Sequence, residues 1–125
     1  MIGAPHMKLR IWQKAHELAV AVYQISASLP KEEKYGLYSQ VRRSAISVPA
    51  NIAEGLGRYS FKERMRFVGI ARGSAQETME HLLLIRDLGM VRQFKIDGLI
   101  NEYNGLAIGM SAFIDDLARK AKTVT

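Results

Sequence analysis

Seven basic side chains, Arg42, Arg43, Arg58, Lys62, Arg64, Arg66 and Arg72, fill the middle of the chain and are offset there only by Glu54 and Glu63. Cations in this density neutralise phosphates, and such contacts position a polynucleotide without reading its sequence. The expected phosphate contacts are Arg42, Arg43, Arg58, Arg66 and Arg72, with Lys62 as a point charge. Arg58 falls in a loop just ahead of a helix, close to the positive end of that helix's dipole. Arg72 borders an apolar stripe, so its stem is expected to lie along the stripe with the head group free.

The patterns that would carry bond-making chemistry are incomplete. Gly55-Leu-Gly57 has no strand before it and no third glycine, and Gly57 is followed by Arg58-Tyr59 rather than by the lysine and hydroxyl residue of a phosphate loop. A di-iron bundle needs two Glu-x-x-His motifs, and the chain has neither. Glu77 and His81 share a face four residues apart, which reads as a solvated pair rather than a metal site. His6, His16 and His81 are scattered, and no serine has a histidine and carboxylate in sequence context. The chain is therefore expected not to be an enzyme, and no cofactor, metal or small-molecule substrate is indicated.

Composition supports an acidic partner. Of 18 Lys plus Arg against 12 Asp plus Glu, a net of +6, the excess lies entirely in the first 73 residues. Nucleic acid is the commonest polyanion such asymmetry serves. Cysteine is absent, which excludes disulfides and thiolate metal sites and suits a reducing cytoplasm. No apolar run approaches the ~18 residues a membrane span needs, and the N-terminus lacks a signal-peptide pattern.

Positioning these residues falls to helices. Ile11, Trp12, Ala15, Leu18, Ala19, Val22 and Ile25 recur at helical spacing, which predicts a first helix over about 9–28. Leu29-Pro30-Lys-Glu-Glu-Lys34 is a loop, and a second helix is expected from about Gly36 to Glu54, stopping at Gly55-Leu-Gly57. Ser60 with Glu63 forms a capping box that opens a long third helix ending at Leu88-Gly89. Ile96, Leu99, Ile100, Tyr103, Leu106, Ala107, Met110, Phe113, Ile114 and Leu117 line the fourth. The expected fold is all-α, an antiparallel up-and-down four-helix bundle over 9–121, with a flexible leader over 1–8 and a tail over 122–125.

Two helices carry a second face. In the second, Leu37, Val41, Ser44, Ala45, Val48 and Ile52 fall on one side, while Ile46, Ala50 and Ala53 fall opposite. A helix apolar on two sides is usually buried on two sides, so the latter three are expected to meet a second subunit. Pro49 lies between them and removes an amide donor, which predicts a kink or restart with Ser47 satisfying a disrupted backbone group. In the third helix Lys62, Arg66, Gly69 and Gly73 form a stripe, and glycine there costs about 1 kcal/mol against alanine. Gly69 and Gly73 are expected to allow close approach, by a helix before a phosphate backbone.

Leu9-Arg-Ile-Trp-Gln-Lys-Ala15, Tyr35-Gly-Leu-Tyr-Ser-Gln-Val-Arg-Arg-Ser-Ala45, Ile46-Ser-Val-Pro-Ala-Asn-Ile-Ala-Glu-Gly-Leu-Gly-Arg58 and Arg66-Phe-Val-Gly-Ile-Ala-Arg-Gly-Ser-Ala75 together resemble a bacterial four-helix bundle family. Its members include proteins encoded in intervening sequences of large-subunit ribosomal RNA genes, also labelled S23 ribosomal protein. The resemblance runs from Leu9 to about Gly89; the fourth helix matches only in its apolar pattern. Ser44 and Val48 stand where the family often has Ala and Ile, which reads as mild repacking. The resemblance implies an up-and-down bundle that assembles as a ring-like homopentamer. A similar architecture occurs in accessory proteins of diversity-generating retroelements, which bind nucleic acid and a reverse transcriptase.

Together these readings predict a cytoplasmic homo-oligomer binding RNA or DNA through phosphates. A pentamer would carry roughly +30, five times the chain's +6, making binding steeply salt-dependent. The runner-up is a scaffold whose basic ring docks an acidic protein. A third reading is a structural bundle whose arginines bridge subunits through Glu54, Glu63 or Glu77.

Overall fold

The computed structural model describes residues 5–33 and 36–123. Met1–Ala4 of the expected leader, Lys34 and Tyr35 of the first link, and Val124 and Thr125 of the tail lie outside them. Four α-helices pack against one another, with no strand among the described residues: α1 (Arg10–Ser26), α2 (Leu37–Leu56), α3 (Phe61–Asp87) and α4 (Gln93–Thr123). Short 3-10 turns over Pro5–Lys8 and Lys31–Glu33 precede α1 and α2. The first of these turns packs on α1 and α2, and α4 continues two residues past Ala121.

The apolar stripes predicted from spacing are the ones buried. Ala15, Leu18 and Val22 of α1 meet Val41, Ala45, Val48 and Ile52 of α2, Val68, Ala71, Ala75, Leu82 and Ile85 of α3, and Ile96, Leu99, Tyr103, Leu106 and Met110 of α4 in one cluster. Burying each large aliphatic side chain contributes about 1.5–3 kcal/mol, so this cluster is what holds the helices together. Neighbouring helices run antiparallel. Residues 44 and 47 of α2 meet 78 and 74 of α3, and residues 72 and 86 of α3 meet 111 and 97 of α4.

Helix ends follow local chemistry. The Ser60 hydroxyl accepts from the Glu63 amide at 3.0 Å and caps α3. The Glu63 carboxylate does not return to complete a capping box, because Arg66 holds it instead. Gly89, at φ +72°, lets the Gly89 and Met90 amides reach back to the carbonyls of Arg86 and Ile85, closing α3 in a Schellman turn.

At Pro49 the expectation of a restart is not met: α2 runs uninterrupted from Leu37 to Leu56. Ser47 has other work than satisfying a backbone group freed by the proline. Its hydroxyl pairs with that of Ser74 at 2.9 Å and accepts from the Asn51 side-chain Nδ2 at 2.9 Å. One turn earlier, buried Thr78 donates to Ser44 at 2.8 Å. A polar seam of Ser44, Ser47, Asn51, Ser74 and Thr78 therefore runs between α2 and α3, and Ser44 is a hydrogen-bonding partner rather than a packing swap.

Candidate nucleic-acid interface

The corner between α2 and α3 is built by a tight crossing. A Cβ added at Gly55 would stand 2.9 Å from the Phe67 Cβ, closer than real side chains come, and 3.3 Å from the Arg64 carbonyl oxygen, tighter than most. Only glycine lets the two backbones approach this far. The chain then leaves α2 through Gly57 and Arg58, whose amides bond to the carbonyls of Glu54 and Gly55. Arg64 donates its Nε to the Arg58 carbonyl at 2.8 Å and ties the loop to the first turn of α3.

Around this corner stand Arg58, Lys62, Arg64 and Arg66. Arg58 pairs with Glu54 and lies 4.8 Å from the Phe67 ring centre; Arg66 lies 4.5 Å from the same ring centre and pairs with Glu63 at 3.2 Å. Arg64 sits 5.5 Å from the centre of Phe61. Lys62 is exposed and has no hydrogen-bond or ion-pair partner among the described residues. The hydrogen bond from Arg66 holds the Glu63 carboxyl below the usual glutamate range, assisted by the positive charge of Arg66, Arg58 and Lys62. Both ion pairs are open to solvent, so they are weakly held and can be exchanged for an incoming anion.

The other predicted contacts are dispersed. Arg42 is a clamp between α1 and α2: its Nε donates to Ser26 at 2.6 Å, its terminal nitrogen to the Tyr23 carbonyl at 2.9 Å, and its guanidinium lies over Tyr23 and Tyr38 at 4.1 and 4.2 Å. The Arg72 head group, expected free, instead donates to Ser111 of α4 at 3.1 Å. Sequence reasoning missed both because the partners lie 16 and 39 residues away. Arg43 is exposed, without a partner among the described residues, and stands about 20 Å along α2 from the corner. What reasoning from spacing also missed is Tyr59, wholly exposed at the loop's tip. The signal was there, an aromatic residue between Arg58 and the cap Ser60.

The residues expected at an oligomer interface lie on open faces. Ile46 and Ala50 are exposed and Ala53 is half-buried. A Cβ added at Gly69 or Gly73 meets nothing within 4 Å, so no helix of the same chain uses their small size. The three carboxylates considered for bridges between subunits are engaged within the chain: Glu54 by Arg58, Glu63 by Arg66, and Glu77 by His81 at 3.2 Å. His81 is largely shielded rather than solvated. No group of three or more metal-ligating side chains occurs among the described residues. Nor is any of their helices long and apolar enough to cross a membrane.

Comparison with known proteins adds a family. The family described as 23S rRNA-intervening sequence protein matches residues 7–111. A crystal structure from Bacteroides thetaiotaomicron, of a protein of unknown function from the S23 ribosomal protein family, is similar with a TM-score of 0.78 and 24% identity. The match covers 83% of this chain and 97% of that one, and at this identity it speaks for the fold alone. No curated protein matches.

Proposed function

The chain belongs to the 23S rRNA-intervening sequence protein family, and from that premise we propose that it is a non-enzymatic, oligomeric protein that binds RNA or DNA through phosphates. The observation that carries this reading is the α2–α3 corner, where Arg58, Lys62, Arg64 and Arg66 converge on a rigid turn. Their acidic neighbours, Glu54 and Glu63, are held only by solvent-open pairs. The positive end of the long α3 dipole adds to the same field. Arg43 extends the surface along α2, whereas Arg42 and Arg72 contribute net charge while their head groups serve the bundle. Nothing at the corner has the form of a base-reading element, so affinity is expected without sequence preference.

Self-assembly is part of the proposal. Ile46, Ala50 and Ala53 on α2, with Gly69 and Gly73 on α3, would meet a second copy, in a homopentamer as the family resemblance implies. A bend of α2 at Pro49 would turn Ile46 and Ala50 toward that neighbour. The absence of cysteine suits a cytoplasmic setting for such an assembly.

Two measurements test this. Light scattering should return five times the chain mass of 14.0 kDa. Binding of labelled RNA and DNA across a salt series should weaken steeply with salt, and Lys62→Glu with Arg66→Glu should abolish it at moderate salt. If neither nucleic acid binds at low salt, the proposal is wrong and the docking of an acidic protein on the same surface replaces it.

A further inference from the structure

We infer that the α2–α3 corner takes single-stranded nucleic acid in particular, with an unpaired base stacked on Tyr59. The inference rests on the phosphate-binding reading of that corner and names what it holds. Tyr59 has a relative exposure of 101%, the highest among the exposed large hydrophobic side chains. A lone exposed ring is ordinary on a protein surface. This one stands among four cations on a loop that cannot easily move.

The loop is fixed from both sides. Gly55 presses α2 against Phe67, Arg64 grips the Arg58 carbonyl at 2.8 Å, and Ser60 caps α3 at 3.0 Å. A ring presented on such a turn loses little further freedom when a base lands on it. The neighbouring rings are already used. Phe67 lies against Arg58 and Arg66, and Phe61 against Arg64. Tyr59 has no guanidinium or ring against it among the described residues. The guanidiniums fixed on Phe61 and Phe67, with Lys62, provide a positive surface for the backbone, while Tyr59 offers a flat face for a base. That combination of a cationic track with a free aromatic ring is how single strands are bound without sequence preference. A duplex keeps its bases stacked inside and could use only the cations.

The test compares a labelled single strand of about twenty nucleotides, longer than typical single-strand site sizes, with a duplex of the same length. RNA and DNA versions of each are used. Tyr59→Ala should weaken single-strand binding about tenfold, the loss of roughly one stacked base, and leave duplex binding within about twofold. Tyr59→Phe and Tyr59→Trp should retain single-strand binding. The salt slope for the single strand should be unchanged in Tyr59→Ala and should fall by about 0.7 in Lys62→Ala, which removes one phosphate contact. Tyr59→Ala binding single strands as the parent does, while Lys62→Glu with Arg66→Glu loses them, would overturn the stacking inference and leave the phosphate reading standing. So would an equal loss for duplex and single strand, or a changed subunit number, which would assign Tyr59 to a contact between copies. A parent protein that binds no oligonucleotide at low salt would overturn both.

Discussion

Tyr103 sits wholly buried in the core, and its hydroxyl has no hydrogen-bond partner among the described residues. Burial pushes its pKa up from the ordinary 10.0, because the interior disfavours the phenolate. The folded state therefore holds the phenolic proton more tightly than the unfolded chain does. The resulting stability is fully present below pH 10 and is lost as pH climbs beyond that toward the raised folded value. Tyr103→Phe should remove this alkaline loss, which denaturation at a series of pH values would show. It should also raise stability near neutrality by about 1 kcal/mol, since an unpaired buried hydroxyl is a standing cost. A variant less stable than its parent at neutral pH would mean that the hydroxyl has a partner.

At the scale of helices, the α2–α3 hairpin is specified more narrowly than the rest. Its polar seam fixes register, because sliding one helix by a turn would separate Thr78 from Ser44 and Ser74 from Ser47. Gly55 fixes the closeness of the crossing. Gly55→Ala is expected to cost about 1–3 kcal/mol in thermal unfolding, because the new methyl meets a neighbouring Cβ and backbone rather than a flexible tip. An unchanged melting temperature would show that the corner can open. Much at this scale was readable in advance. Spacing gave the buried stripes, Ser60 and Gly89 marked the two ends of α3, and Leu29-Pro30 lies in the link that follows α1. Pro49 did not bring the restart expected of it, because a helix packed against both α1 and α3 tolerates a missing donor that an isolated helix would not. The division of the arginines could not be read at all. Arg42, Arg58 and Arg72 have the same side chain, and which of them is tied inward depends on Ser26, Tyr38 and Ser111, brought near only by packing.

Over the whole molecule, the four helices are not equally joined. The contact between α1 and α4 is the least extensive of the neighbouring pairs. Two open grooves mark their seam, one of about 500 Å³ lined by Ala21, Ile25, Lys95 and Leu99 among others, the second beside Ile11, Lys14 and Gly109. Lys14 reaches across to Glu102 at 2.8 Å, a pair open to solvent. Gly98 and Gly105 of α4 present no side chain to fill the gap, and a Cβ at either would touch nothing within 4 Å. Order of assembly and of loosening follows from this. The α2–α3 hairpin, with short connection and dense packing, is the natural first unit to form, and closure of α1 onto α4 the last step, since it joins the two ends of the sequence. Native-state hydrogen exchange should then show amides of α1 and the first half of α4 opening together at lower free energy than those around Val48, Ile52, Ala71 and Ala75. Equal protection across all four helices would show a single cooperative unit instead. In the expected case the chain breathes along the seam between its first and last helices, and the corner bearing Tyr59 stays shut while it does.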